Sequence, residues 1–459
     1  MLIIKQDNVL NDLKSYPDNH FHTILADPPY NLSTEWIIGQ NGNPVVKNKP
    51  KDFMNKWEGL DENSLEELFK QFYRVGKYGS YLILFGLNRQ LMPFNYYAMK
   101  AGYEICQSLY WFFISSFPKA TDLSKQLDKR LGSEREVIGK SNRHGGGIVG
   151  NGTSYEINPE IPNITAPSSD LAKQFDGYKY GIAPFKEAVE TIMVFRKSPK
   201  ESILDDIING EADCSPCCVD IDGGRVPYTP NNPPIPQLAQ GKTDIKSDNS
   251  MHGRQSFNES KTKSEIGGDL SGRYPSTLLV DSGMAEILDE QSGIKTSAKS
   301  KVLHEEYTNN FKFGGGLSTP DNQYSDTGGA SRILHKCDYD NEDYHLLNFS
   351  SKVQTKERNA GLERNNHPCL KPVSLIYRIS QLFKLPIDNQ KLYIPFAGTF
   401  SEVIGSFKAG FDDITVCEMN PDYIEIGKAR FDHWKDKPIT TDSKEVVKKD
   451  EPIALDDLF

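Results

Sequence analysis

The residues with the clearest chemical potential are Asp27-Pro28-Pro29-Tyr30. An amino group attached to an aromatic ring is a weak nucleophile, because its lone pair is delocalised into the ring. A carboxylate accepting one of its N–H bonds and a carbonyl accepting the other favour a pyramidal nitrogen that can attack an electrophile. Asp27 can supply the first acceptor and the Pro28 backbone the second, while Pro28 and Pro29 stiffen the chain that aims them. Tyr30 offers a flat face on which a planar heterocycle can stack. The same four residues could form only a rigid turn closed by a buried tyrosine. A given tetrapeptide should arise by chance in well under roughly 1% of chains this long, which favours the chemical reading.

A second constellation lies near the other end. Lys391-Leu392-Tyr393-Ile394 reads as a strand, Pro395-Phe396-Ala397-Gly398-Thr399-Phe400 as a loop, and Ser401 to Ala409 as a helix. A further strand, Ile414-Thr415-Val416-Cys417, ends at Glu418. Strand, glycine-bearing loop, helix and strand-terminal acid form the layout that brings backbone against a nucleotide and a carboxylate against its ribose. With one glycine in the loop, an ordinary βαβ unit satisfies the pattern equally well.

Both constellations need an open sheet to hold them. His22 to Ala26 is a short apolar run that stops at Asp27, as a buried parallel strand does when it enters a loop. The spacing of Leu65, Leu68, Phe69 and Phe72 predicts a helix over Asn63–Val75. Tyr81–Phe85 and Tyr110–Phe113 read as strands, with a helix over Arg89–Lys100 between them. From residue 367 the alternation resumes, with helices over Val373–Phe383 and Tyr423–Trp434. Such alternation predicts an α/β fold, a sheet with helices on both faces. Between 115 and 361 Gly, Asn, Ser, Pro and Asp accumulate, interrupted by regular stretches at Ala188–Arg196 and Ser276–Val280. That is too long for a connecting loop, so the expectation is an inserted recognition region or partial disorder. The division expected is 1–114, 115–361, 362–434 and a charged tail over 435–459.

Composition narrows the classes. The 459 residues are 37% hydrophobic and 25% charged, enough apolar content for packed cores. No run of 18 apolar residues occurs, and the N-terminus lacks the pattern of a secretory signal, so a cytoplasmic protein without a membrane span is expected. Seven cysteines fit reduced thiols. Cys214-Ser215-Pro216-Cys217-Cys218 lacks a nearby second pair; His335 and Cys337 are the only plausible additions, so no metal is expected. The net charge of −10 requires any polyanion to meet a local basic surface, for which residues 119–143 (Lys119, Lys125, Lys129, Arg130, Arg135, Lys140 and Arg143) are the candidate. The same stretch could be a solvated helix face. The terminus Pro452–Phe459 could dock on a partner but more simply forms a mobile tail.

At this level of detail the chain resembles the DNA amino-methyltransferases that modify adenine N6 or cytosine N4, in the permuted order that places the catalytic motif before the cofactor motif. Asp27-Pro28-Pro29-Tyr30 matches the catalytic motif and Pro395-Phe396-Ala397-Gly398 the cofactor loop. Asn366-His367-Pro368-Cys369-Leu370-Lys371-Pro372 matches the segment packed against the methionine end of the cofactor, and Gln6-Asp7-Asn8 the strand whose acid contacts its adenine. Phe117-Pro118-Lys119, Ala183–Ala188, Asp220–Val226, Gly272–Ser276 and Gly328–Arg332 are similar to phage and prophage enzymes of this family.

The resemblance spans roughly residues 1 to 434 and implies a Rossmann-like methyltransferase sheet with a large DNA-recognition insertion. It implies S-adenosylmethionine as cofactor, held by Asp7, Asp27, His367, Lys371, Pro395, Phe396, Ala397, Gly398, Thr399 and Glu418. It also implies double-stranded DNA as substrate, a flipped base against Asp27, Pro28, Pro29 and Tyr30, and site-specific transfer. A homodimer and a cognate restriction nuclease are compatible partners. Asp at the first motif position favours adenine N6 over cytosine N4; RNA, a protein amide, or a catalytically weak DNA-binding role are the more distant alternatives. Two positions depart from the family pattern. Ile394 stands where an acid is usual, and Gly398-Thr399-Phe400 replaces Gly-Ser-Gly. The expectation is a lost polar contact and added bulk beside the cofactor.

Overall fold

The computed structural model describes residues 1–29, 36–47, 60–113, 119–140, 146–149, 154–157, 162–185, 187–226, 274–296, 327–336, 355–363, 365, 367 and 370–437. Its centre is a ten-stranded sheet. In chain order the strands that matter are β1 (Leu2–Gln6), β2 (Phe21–Ala26), β3 (Gly76–Gly86), β4 (Leu109–Phe112), β5 (Val189–Arg196), β6 (Leu278–Val280), β7 (His335–Lys336), β8 (Lys391–Pro395) and β9 (Asp413–Glu418). They lie side by side as β1-β9-β8-β2-β3-β5-β4-β6-β7. β5 pairs antiparallel with both its neighbours, while the other pairings along this path are parallel. The fold is the α/β, mostly parallel, Rossmann-like sheet expected.

Helices packed on it include α1 (Val9–Lys14), α2 (Glu62–Val75), α3 (Asn88–Ala101), α4 (Val373–Leu382), α5 (Ser401–Lys408) and α6 (Pro421–Trp434). Strand alternation sends neighbouring residues into two cores. Ile24, Leu82, Leu84, Met193 and Tyr393 pack with α1, α2 and α3. Leu25, Ile83, Phe85, Val194 and Leu392 pack with α4, α5 and α6. Burial on both faces explains why β2 reads as an unbroken apolar run and not as an alternating one. The helices begin where local chemistry allows. The Asp61 carboxylate accepts the Ser64 N–H at 2.8 Å at the start of α2, and Asn420 caps α6 ahead of Pro421.

The middle of the chain contributes more to the sheet than its composition suggests. β5, from one of the two regular stretches, is inserted between β3 and β4. The other stretch supplies β6. Between β4 and β5, the described residues among 119–183 form short ribbons and the helices Leu123–Leu131 and Asp170–Gln174. Arg135 and Asp128, 2.6 Å apart and buried, tie this unit together, with Asp128 also accepting the Ser168 and Ser169 N–H groups at 3.0 Å. Arg135 is therefore a structural cation, whereas Lys125, Lys129, Arg130 and Lys140 are exposed. Arg143, Cys337 and the tail over 438–459 lie outside the described residues.

Candidate active site at the carboxyl edge of the sheet

Because β1, β9, β8 and β2 are adjacent and parallel, their carboxyl ends form one edge. That edge carries Asp7, Glu418, the loop from Pro395 and Asp27 in spatial order. Residues from both ends of the chain thus meet, as the two sequence constellations require. β5 runs the other way, so its first residues reach the same edge: Thr191 pairs with Gly86, the last residue of β3. Glu190 therefore stands beside Asp27 although 163 positions separate them.

At the end of β2, Pro28 is buried and the Asp27 side chain keeps 19% of its exposure. Tyr30 lies outside the described residues. The Lys371 ammonium donates to Asp27 Oδ2 at 2.7 Å and lies 3.1 Å from Glu190 Oε1. It also sits 4.9 Å from the centre of the Phe85 ring. Burial alone would make Lys371 easier to deprotonate, but Asp27 and Glu190 reverse this and hold it firmly protonated. Lys371, expected at the cofactor, is thus bound to the catalytic-motif carboxylate. The fully buried Glu402, in the first turn of α5, feels the same cluster. Burial and then Asp27 push its carboxyl up to about 7, with Lys371 opposing.

The loop after β8 is built differently. Phe396, Gly398 and Phe400 take left-handed backbone angles, with φ of 56°, 49° and 69°. The turns that result point successive backbone groups to opposite sides. Gly398 donates its N–H to Glu418 Oε2 at 2.8 Å, and Asn420 donates to Oε1 at 2.8 Å. Burial raises the Glu418 carboxyl and these N–H groups draw it back. A Cβ on Gly398 would stand 2.9 Å from Nε2 of the buried His367, so the close approach requires glycine. The His367 ring is held edge-on by Tyr423 at 4.5 Å, and the His367 backbone N–H donates to Asn365 Oδ1 at 2.9 Å. Asp7 is exposed at the end of β1, its carbonyl accepting from Cys417 Sγ at 3.3 Å.

The two departures from the family pattern receive a physical explanation. Ile394 is fully buried in the core beneath α4 and α5. Phe400 is fully buried as well, and a Cβ on Gly427 would lie 2.5 Å from its ring, so the ring rests on α6. The bulk expected beside the cofactor loop lies under it instead. Three residues later on α6, the buried Arg430 donates Nη1 to the Thr399 carbonyl, and to Thr399 Oγ1 at 3.2 Å and Ser401 Oγ at 3.3 Å. Burial lowers Arg430 to about 10, with Glu357 and Glu402 opposing. Gly427 and Arg430 together mould the loop from below.

Glu190, Glu402 and Arg430 were not anticipated from sequence. The one available signal was Glu190, a lone acid in the otherwise apolar run Val189–Phe195. Cys214 and Cys217 are buried, and burial raises the Cys214 thiol to about 11. Among the described residues the group arranged to hold a metal is Glu211, Asp213 and Cys214, and Lys200 ion-pairs with both of its acids. No helix among the described residues is long and apolar enough to cross a membrane.

A carboxylate beside a glycine-bearing loop, on one edge of a mostly parallel sheet covered on both faces, is the layout in which open α/β folds bind nucleotides. The family model for DNA methylases matches residues 21–429, and the chain belongs to that family, the N6/N4 DNA methyltransferases. It is similar to solved structures at low identity. The PvuII DNA methyltransferase, described as cytosine-N4-specific, is 11% identical with a TM-score of 0.37, covering 94% of this chain and 86% of that one. M1.HpyAVI in complex with SAM is 9% identical with a TM-score of 0.35, covering 94% and 98%. No curated protein matches the chain.

Proposed function

We propose that this methyltransferase transfers a methyl group from S-adenosylmethionine to N6 of adenine at specific sites in double-stranded DNA. The observation that carries the reading is the placement of Asp27 and Pro28 at the end of β2, directly beside the Gly398 loop at the end of β8. When bound, S-adenosylmethionine supplies an electrophilic sulfonium methyl. The residues present suit it: a left-handed glycine loop, a buried acid at Glu418, and an exposed acid at Asp7. His367 lies under the loop, and Phe396 and Ala397 shape its approach. Thr399 is turned toward Arg430. These residues support cofactor binding chiefly through the backbone they arrange.

Asp27 accepts one amino hydrogen of the flipped adenine and the Pro28 carbonyl the other, with Tyr30 as the stacking face. Asp at the first motif position favours adenine over cytosine. The order of motifs along the chain, with β2 preceding its sheet neighbour β8, supports the permuted arrangement. Residues 115–361 then serve to engage DNA, with 1–114 and 362–434 as the halves of the catalytic domain.

The test is to incubate the protein with isotopically labelled cofactor and DNA, digest to nucleosides and identify the labelled product by mass spectrometry. N6-methyladenine is expected. N4-methylcytosine would move the assignment to the other base, and no labelled nucleoside would overturn it. Asp27→Ala should lower transfer by at least about 100-fold while DNA binding stays near wild type. A variant of near-full activity would remove Asp27 from this role.

A further inference from the structure

The charge count around Asp27 leads to a role for a residue with no place in either motif. Lys371 meets Asp27 at 2.7 Å and Glu190 at 3.1 Å, and the three side chains are largely withdrawn from water. Asp27 and Lys371 alone would form a neutral pair. A neutral pair gives little help to a nitrogen that becomes cationic while it gives its lone pair to a methyl carbon and the C–S electron pair leaves on sulfur. That positive charge lasts until the surplus proton passes to water. With Glu190 included, two carboxylates face the one ammonium next to the amine. Preorganised charge in a dry site is worth far more than the same charge in water.

The geometry points to Glu190 as a positioning residue that shares the Lys371 ammonium with Asp27 and keeps the amine pocket from being neutralised. This rests on the reading of Asp27 as the amine-holding carboxylate. Lys371 shares its charge between two acids that come from different strands, β2 and β5. Asp27 therefore keeps its acceptor strength and a fixed rotamer together. A single Lys–Asp pair would fix the rotamer at the expense of that strength. The other groups facing the cluster are Glu402 from α5, which interacts with Asp27 and Lys371, and Arg430 from α6, which interacts with Glu402.

Glu190→Gln and Lys371→Met separate this role from simple structural support. In single-turnover transfer, Glu190→Gln is expected to slow the chemical step about 10-fold, with DNA and cofactor dissociation constants within about two-fold of wild type. Lys371→Met should move the acid limb of the rate–pH profile upward by about one pH unit or more, since the acids lose their counter-charge. A readout independent of turnover is the nitrogen NMR signal of the Lys371 ammonium in the cofactor-free protein. Glu190→Gln should shift that signal and speed the exchange of its protons with water at fixed pH. Wild-type rates, an unmoved acid limb and an unshifted ammonium would overturn the proposal. So would a loss of melting temperature with both binding constants raised and no change in pH profile. If the wild type methylates nothing, the functional reading fails and takes the catalytic role with it, while the ammonium signal and its proton exchange still report whether Glu190 holds Lys371.

Discussion

Two acids at strand ends on the same edge of the sheet are stabilised in opposite ways. Glu418, at the end of β9, is surrounded by backbone: Gly398 and Asn420 each donate an N–H to one of its oxygens. Its partners come from the adjoining loop and its own helix cap, so a single βαβ unit accounts for it. Asp27, at the end of β2, is held by the ammonium of Lys371, 344 residues away, and through it by Glu190. One acid is built into local geometry and shapes a loop. The other belongs to a charge cluster assembled from three distant segments, and that is where chemistry is proposed. A backbone-bonded carboxylate is rigid but spent, whereas an ion-paired one stays partly exposed and available.

The largest expected break in this comparison comes from Lys371→Met, which leaves two withdrawn acids without their shared cation. Chemical denaturation near neutral pH should show a loss of roughly 3–5 kcal/mol. A loss below about 1 kcal/mol would mean the cluster is well solvated and the contrast with Glu418 is false.

Glu402 joins the two regions, and its effect depends on pH. Its carboxyl stands at about 7 in the folded protein against an ordinary 4.5, owing first to burial and then to Asp27. Between these values the folded state binds more protons than the unfolded chain. Stability from this group is thus present at the acid end of the window and falls as pH rises through it, by roughly 3 kcal/mol in total. Glu402→Gln should flatten that fall, so the variant gains on wild type at about pH 8 but not at about pH 4. Parallel denaturation curves at both pH values would remove Glu402 from the cluster.

Gly398→Ala probes the backbone-built side. The left-handed angle and the approach to His367 should together cost about 1–3 kcal/mol and weaken cofactor binding, measured by calorimetry. Adding His367→Ala should return only the part due to the clash. The smallest effect is expected from Glu418→Gln, which leaves one acceptor oxygen for two backbone donors. A loss of about 1–2 kcal/mol should appear in thermal melts, with hydrogen exchange at Gly398 or Asn420 accelerated. If both amides keep wild-type protection, the loop does not depend on this acid.

The sequence by itself determined the elements and the two strand-end motifs. Strands buried on both faces favour consecutive apolar residues, and Ile24-Leu25-Ala26 and Leu392-Tyr393-Ile394 show them directly. Helix faces, the Pro-Pro stop after Asp27 and the need for glycine at 398 are also local facts, set by side-chain spacing and φ. The tertiary structure alone decided what stands beside Asp27. Strand order, with β5 turned against its neighbours, carries Glu190 to the edge, and no spacing in the chain encodes that approach. The same holds for Lys371, whose ammonium meets Asp27 across 344 residues of chain. Ile394 and Phe400 looked like defects in a cofactor loop because sequence does not show which way a side chain turns. Once the left-handed backbone at Phe400 and the bare surface of Gly427 are in place, both residues belong to the core. Local physics wrote the parts legibly, and long-range packing gave Asp27 its charge partners.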